Sequence, residues 1–167
     1  MADEQGVVRR RTFTWQDPDE TVRAGRTMSG LDLLRAILAG ELPRPPIAAL
    51  MGFAFSEVEE GRVVFTMEPA EYHYNPIGTV HGGVAATLLD SAMGCAVNTL
   101  LLQGTAYTTL EIKVNYIRPM TRATGLVRCE GTVIHRGGTI ATAEGRITGA
   151  DGKLYAHGTT TCLIMRG

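Results

Sequence analysis

The stretch His81–Leu102, HGGVAATLLDSAMGCAVNTLLL, decides the fold. Apolar residues fill nearly every position from Val84 onward, with no strict two-residue alternation, and a helix that is apolar on most sides is a buried one. On the N-terminal side the pattern is different. Phe53 and Phe55 lead towards Val58, and Val63, Phe65 and Met67 alternate after the Glu60-Gly61 turn, which predicts a hairpin. A loop with Tyr72, His73, Tyr74, Asn75, Pro76 and Gly78 then delivers the chain to the helix. Beyond Gln103-Gly104, Leu110, Ile112, Val114 and Tyr116 alternate with Thr109, Glu111, Lys113 and Asn115, and Pro119 ends that strand. Further strand-like runs cover about 125–135, 138–148 and 154–165, separated by Gly137-Gly138 and by Ala150-Asp151-Gly152. A hairpin, one long buried helix and a meander of four strands predict an α+β fold, an antiparallel sheet wrapped round a central helix.

Residues 1–46 form a leader ahead of a domain spanning 47–167. Its first 27 residues are polar with little periodicity and read as a loosely attached tail. A short helix follows, with Ser29 as N-cap and Gly40 as stop. The whole chain has 167 residues, the size of one domain, and 44% hydrophobic residues, enough for an ordinary core. With 16 Lys+Arg against 17 Asp+Glu the net charge is -1, which lacks the basic excess that a nucleic-acid partner requires. Cys95, Cys129 and Cys162 are odd in number and widely spaced, so neither a disulfide framework nor a zinc site is expected. His73, His135 and His157 show no ligand spacing, and no metal site is expected from them. Arg9, Arg10 and Arg11 lead into Thr12-Phe13-Thr14 rather than into an apolar run, so no secretory signal is read and a reducing cytoplasm fits. Asp90, Gly94 and Asn98 interrupt the apolar run that would otherwise raise a membrane span.

Asp90 is the only formally charged side chain between Glu71 and Glu111, and it sits in the middle of the most apolar helix. Burying an unpaired carboxylate costs several kcal/mol, so the position implies a use, a partner or one wet side of the helix. Gly82-Gly83 opens the same helix, where the first amides are free donors at the positive end of the dipole and can hold a developing oxyanion. A plain tight turn would read the same way. Gly83 and Asp90 are seven residues apart, about 10 Å of axial rise. One reacting carbon cannot sit against both, so a shared reaction needs two subunits, with helices paired antiparallel across a two-fold axis.

Asn75-Pro76-Ile77-Gly78-Thr79-Val80-His81-Gly82-Gly83 followed by Leu88-Leu89-Asp90 resembles the signature of hotdog-fold acyl-CoA thioesterases of the phenylacetate-degradation (PaaI) type. Tyr107-Thr108-Thr109-Leu110 and Tyr116-Ile117-Arg118-Pro119 match as well, and the resemblance spans about 47–165. It implies a hotdog fold and hydrolysis of an acyl-CoA thioester to free acid and coenzyme A. It implies no metal or organic cofactor, and a homodimer or dimer of dimers. The carboxylate matching Asp90 acts in the family as nucleophile or as general base. The amide matching Gly83 polarises the carbonyl from the other subunit. Asn75 would orient the carbonyl or the water, and His81 would hydrogen-bond near the thioester and fix the loop. Thr109 matches a Ser or Thr near the attacking water, on what reads as the polar face of its strand.

Arg136-Gly137-Gly138 stands where the family often has a basic turn near the nucleotide phosphates of coenzyme A, with Arg118 and Gly82 as further substrate contacts. Exposed hairpin arginines are the plainer alternative. A non-catalytic acyl-CoA binding module, or a hotdog hydratase or dehydratase, would share the fold, because a fold does not fix a function.

Overall fold

The computed structural model describes residues 8–166. Residues 1–7, the start of the segment read as a tail and as free of a secretory signal, lie outside the described residues. Three short helices come first: α1 (Pro18–Gly25), α2 (Gly30–Ala39) and α3 (Pro46–Met51). The hairpin of β1 (Phe53–Glu59) and β2 (Arg62–Met67) follows, then α4 (Gly82–Asn98). Four strands close the chain: β3 (Thr105–Tyr116), β4 (Val127–Arg136), β5 (Ile140–Gly149) and β6 (Leu154–Arg166).

All six strands form one antiparallel sheet in the order β1-β2-β4-β5-β6-β3. The predicted architecture is therefore correct, but the last four strands are not a simple meander. β4, β5 and β6 are consecutive neighbours, whereas β3 lies at the far edge beside β6, its ladder running from Thr105↔Arg166 to Tyr116↔Ala156. The connection from β3 to β4 is ten residues long (117–126) and carries a 3-10 turn at Arg122–Thr124, enough chain to cross the two intervening strands.

Helix α4 fills the concave side of this sheet. Leu88, Leu89, Ala92, Met93, Ala96 and Val97 are fully buried and meet Val63, Met67, Val127, Cys129, Ala143 and Ile147 from the strands. Each Leu, Met or Val so buried contributes on the order of 1.5–3 kcal/mol. Three glycines stand in register across the central strands, Gly131↔Gly145↔Gly158, and the first two let the helix approach closely. A Cβ at Gly131 would come within 2.4 Å of the Ala92 backbone, and one at Gly145 within 2.9 Å of the Met93 side chain. Glycine inside a strand commonly marks such an approach. Among the described residues no helix is long and apolar enough to cross a membrane.

The leader is more structured than its polarity suggested. Pro18–Gly25, within the segment read as a tail, is helical: Asp17 caps it by accepting from the Asp19 amide, and a proline begins it. Helix α2 has the predicted Ser29 cap and Gly40 stop, with Gly40 in the left-handed region at φ 79°. Its Leu34 and Ile37 belong to the same core as α4. Gly30 donates its N–H to the Leu101 carbonyl at 2.9 Å. A side chain there would collide with the Asn98 carbonyl.

Candidate active site

Asp90 lies in the third turn of α4 on a half-buried stripe that the sheet leaves uncovered. Its Oδ1 accepts a hydrogen bond from the Thr109 hydroxyl at 2.9 Å. Oδ2 has no hydrogen-bond partner among the described residues and is not sealed from solvent. One oxygen is thus anchored and the other open.

Thr109 reaches Asp90 because of a bulge. Its neighbour Leu110 is skipped in the β3–β6 ladder, which passes from Thr109↔Cys162 to Glu111↔Thr161. The extra residue reverses the inward phase, as bulges do. Thr109 and Tyr107 face α4 together with Ile112 and Val114, while Leu110 is 57% exposed. The sequence reading put Thr109 on the polar face with Glu111 and Lys113, and Leu110 on the apolar face. The bulge corrects both assignments.

The other neighbours of Asp90 are neutral. Burial, and then the negative charge of Asp90, push the Cys95 thiol up to about 12. Burial likewise raises Tyr107 well above its ordinary value and raises Cys162. The site therefore holds protonated thiols and a protonated phenol around one carboxylate, and no thiolate nucleophile competes with Asp90. Sequence reasoning missed Tyr107, Cys95 and Cys162 as neighbours of Asp90. The Cys162 pairing comes only from strand register.

The second part of the site is the N-terminus of α4. His81 is the N-cap, and its Nδ1 accepts the Gly83 N–H at 2.9 Å. The Gly83 carbonyl accepts from the Thr87 hydroxyl at 2.9 Å. His81 and Gly83 are both exposed, and with Thr87 and Val84 they line an open groove of about 690 Å³ whose other wall includes Arg11, Tyr72 and Tyr74. The Gly82 carbonyl accepts from the Tyr116 hydroxyl at 3.1 Å on the opposite side. There Gly82 lines a smaller groove of about 250 Å³ with Arg118 and Tyr155. Arg118 donates to the Leu154 carbonyl at 2.7 Å.

Asn75 braces its own loop. Its Oδ1 accepts the Ile77 and Thr79 amides at 3.1 and 3.3 Å, and its Nδ2 donates to the Thr79 hydroxyl at 3.1 Å, an Asx-type turn that holds residues 75–79. His73 fixes the start of the same loop. Its Nδ1 accepts the Ala70 N–H at 3.1 Å, its Nε2 lies 2.8 Å from the Met51 carbonyl, and its own carbonyl accepts the His81 N–H. Arg136, Gly137 and Gly138 form the β4–β5 turn, closed by the Gly137 N–H on the Ile140 carbonyl, and line neither groove. The chain thus brings together Asp90 with Thr109, and His81 with Gly82 and Gly83. It leaves the two groups about two helical turns apart.

A family model described as the thioesterase superfamily matches residues 77–156, the segment that holds both groups. Acyl-coenzyme A thioesterase 13 of Homo sapiens is 32% identical over 106 residues, covering 60% of this chain and 71% of that protein. The chain belongs to the thioesterase superfamily. A crystal structure of a phenylacetic acid degradation-related protein from Ralstonia eutropha JMP134 superposes with a TM-score of 0.70 at 29% identity, over 77% of this chain and 97% of that one. The PaaI protein of E. coli shares the fold, with a TM-score of 0.71 at 22% identity over 84% and 98% of the two chains. The helix-wrapping sheet is accordingly the hotdog fold of this superfamily, of the PaaI-like type, and the chain is a thioester hydrolase. Thioesterase members need an attacking oxygen and a donor for the developing oxyanion. Asp90 presents an open carboxylate oxygen, and the α4 N-terminus presents backbone N–H donors.

Proposed function

We propose that the protein hydrolyses an acyl-CoA thioester in a homodimer or dimer of dimers, each site taking Asp90 from one subunit and the start of α4 from the other. The observation that carries this reading is the Asp90 carboxylate, with Oδ1 held by Thr109 at 2.9 Å and Oδ2 open. A carboxylate fixed through one oxygen is oriented for work with the other. As general base, Oδ2 takes a proton from water while the hydroxide oxygen adds to the thioester carbon. As nucleophile, Oδ2 adds to that carbon itself and water then cleaves the mixed anhydride. In both routes the carbonyl oxygen becomes an oxyanion, the carbon–sulfur bond breaks and coenzyme A leaves as its thiol.

The Gly83 amide of the partner subunit receives that oxyanion. In the free chain this N–H is occupied by His81 Nδ1, and both residues are exposed at the groove, so an arriving carbonyl oxygen shares or displaces the imidazole. His81 thus keeps the amide oriented between turnovers, and Asn75 contributes by holding the 75–79 turn that leads to it. No metal or organic cofactor enters this scheme, and a cytoplasmic location suits a chain with three free thiols.

The same occupied amide favours the second reading, an acyl-CoA binding module that does not cleave. Thiol release from aromatic, short-chain and long-chain acyl-CoAs, measured on wild type and Asp90→Asn, separates them. Hydrolysis predicts release that falls at least about 100-fold in the variant, as for a group acting in the chemical step. Undiminished release by Asp90→Asn overturns the assignment. Absence of release with thermal stabilisation by CoA esters establishes the binding module.

A further inference from the structure

The leader carries a basic pocket that the hydrolytic chemistry leaves unused. Arg9, Arg10 and Arg11 pass over the loop before α4 and, with Arg122 from the β3–β4 connection, surround a second cavity of about 690 Å³. This cavity shares Arg11, Tyr72 and Tyr74 with the groove at His81 and Gly83, so the two adjoin. Two of its arginines tack the leader down. Arg9 pairs with Glu71 at 2.8 Å, which cancels the one carboxylate of the pocket. Arg11 donates to the Ala49 and Leu50 carbonyls, and its guanidinium stacks 4.0 Å from the centre of the Tyr72 ring. Arg122 is held by its backbone, whose N–H donates to the Tyr74 hydroxyl at 2.7 Å. The guanidinium groups of Arg10 and Arg122 have no partner among the described residues. The result is an excess of positive charge, on two pinned segments, at the mouth of the groove that leads to Gly83.

We propose that this pocket binds the phosphates of coenzyme A, with Arg10 and Arg122 contacting them, Arg11 adding charge behind and the pantetheine arm lying along the groove to the α4 N-terminus. The proposal rests on the acyl-CoA reading and adds a phosphate contact to Arg118 and the Arg136 turn, which lie outside this pocket. Guanidinium groups suit this ligand because they make paired, charge-assisted bonds to phosphate oxygens. The leader then serves substrate recognition, a role legible neither from its polarity nor from the motif.

The test uses the full chain, as wild type and as Arg10→Ala/Arg122→Ala, with Arg10→Glu as a second variant. Titration calorimetry with adenosine 3′,5′-bisphosphate at low salt reads the pocket without any turnover. Loss of both guanidinium groups is expected to weaken binding at least about tenfold, and added salt weakens it in wild type. The ratio of kcat/KM for an acyl-CoA to that for the same acyl group on phosphate-free pantetheine is expected to fall by a similar factor. Equal binding by wild type and variants, or no binding by wild type, overturns the proposal. Arginine-dependent binding in a protein that hydrolyses no thioester upholds the pocket and removes the hydrolytic reading instead.

Discussion

Thr109 holds Asp90 through a single hydrogen bond, and its loss should read out in turnover rather than in binding. A hydrogen bond to a charged group is worth about 1.5–3 kcal/mol, so Thr109→Val is expected to lower kcat roughly tenfold or more with little change in KM. Thr109→Ser should restore most of it, because the hydroxyl returns. Wild-type kcat in Thr109→Val would remove Thr109 from the site. Of these residues, Asp90 was legible in the sequence because one charge among apolar neighbours needs an explanation. The way Thr109 meets it was not: an inserted residue at Leu110 leaves the apparent alternation intact while turning the threonine inward. Asn75 stood in the motif, but that its side chain braces residues 75–79 follows only from the fold of that loop.

At the scale of elements, α4 owes its place to the loop that precedes it. His73 is buried, accepts the Ala70 N–H on Nδ1 and meets the Met51 carbonyl with Nε2, a pattern that suits the neutral ring with its proton on Nε2. Burial holds its pKa below the ordinary histidine value, the Met51 carbonyl opposes this, and the charge of Arg11 adds to the lowering. The folded form therefore resists protonation. Its contribution is complete above the unfolded value of about 6.5 and is lost as pH falls from there towards the lowered folded value, since the unfolded chain takes the proton first. Melting temperatures between pH 7.5 and 5.5 should fall more steeply for wild type than for His73→Gln; parallel profiles would contradict this. A second, more acidic window belongs to Glu57 and Glu59, whose carboxyls are held below their usual range chiefly by hydrogen bonds from Arg62. Their stabilisation persists above the ordinary carboxylate value and fades as pH falls through the lowered ones. Those exposed pairs contribute little.

For the whole molecule, the uncovered stripe of α4 and the edge strand β3 point to assembly. Gly83, Thr87, Asp90 and Asn98 share one incompletely buried side of the helix, and Leu110 and Tyr116 on β3 are 57% and 58% exposed. Unpaired strand edges with apolar side chains are seldom left open. Multi-angle light scattering should give a dimer or a dimer of dimers. A fully active monomer of 18.0 kDa would contradict the shared site. Helix α2 enters the α4 core through Leu34 and Ile37, so the boundary drawn at residue 46 divides chain segments that pack together.

The amino-acid sequence by itself determined the fold class, because an apolar run too long for a strand must lie within a sheet whose strands alternate. It also singled out Asp90 and the His81-Gly82-Gly83 entry, because local chemistry marks both. Tertiary structure alone decided which strand takes the edge beside β6, that Thr109 turns inward, and that Gly131 and Gly145 line up to seat the helix. It also decided that Arg10, Arg11 and Arg122 converge, although about 110 residues separate them in the chain. The reason is common to all four. Each depends on register or contact between residues distant in sequence, and no local propensity or spacing encodes such a pairing.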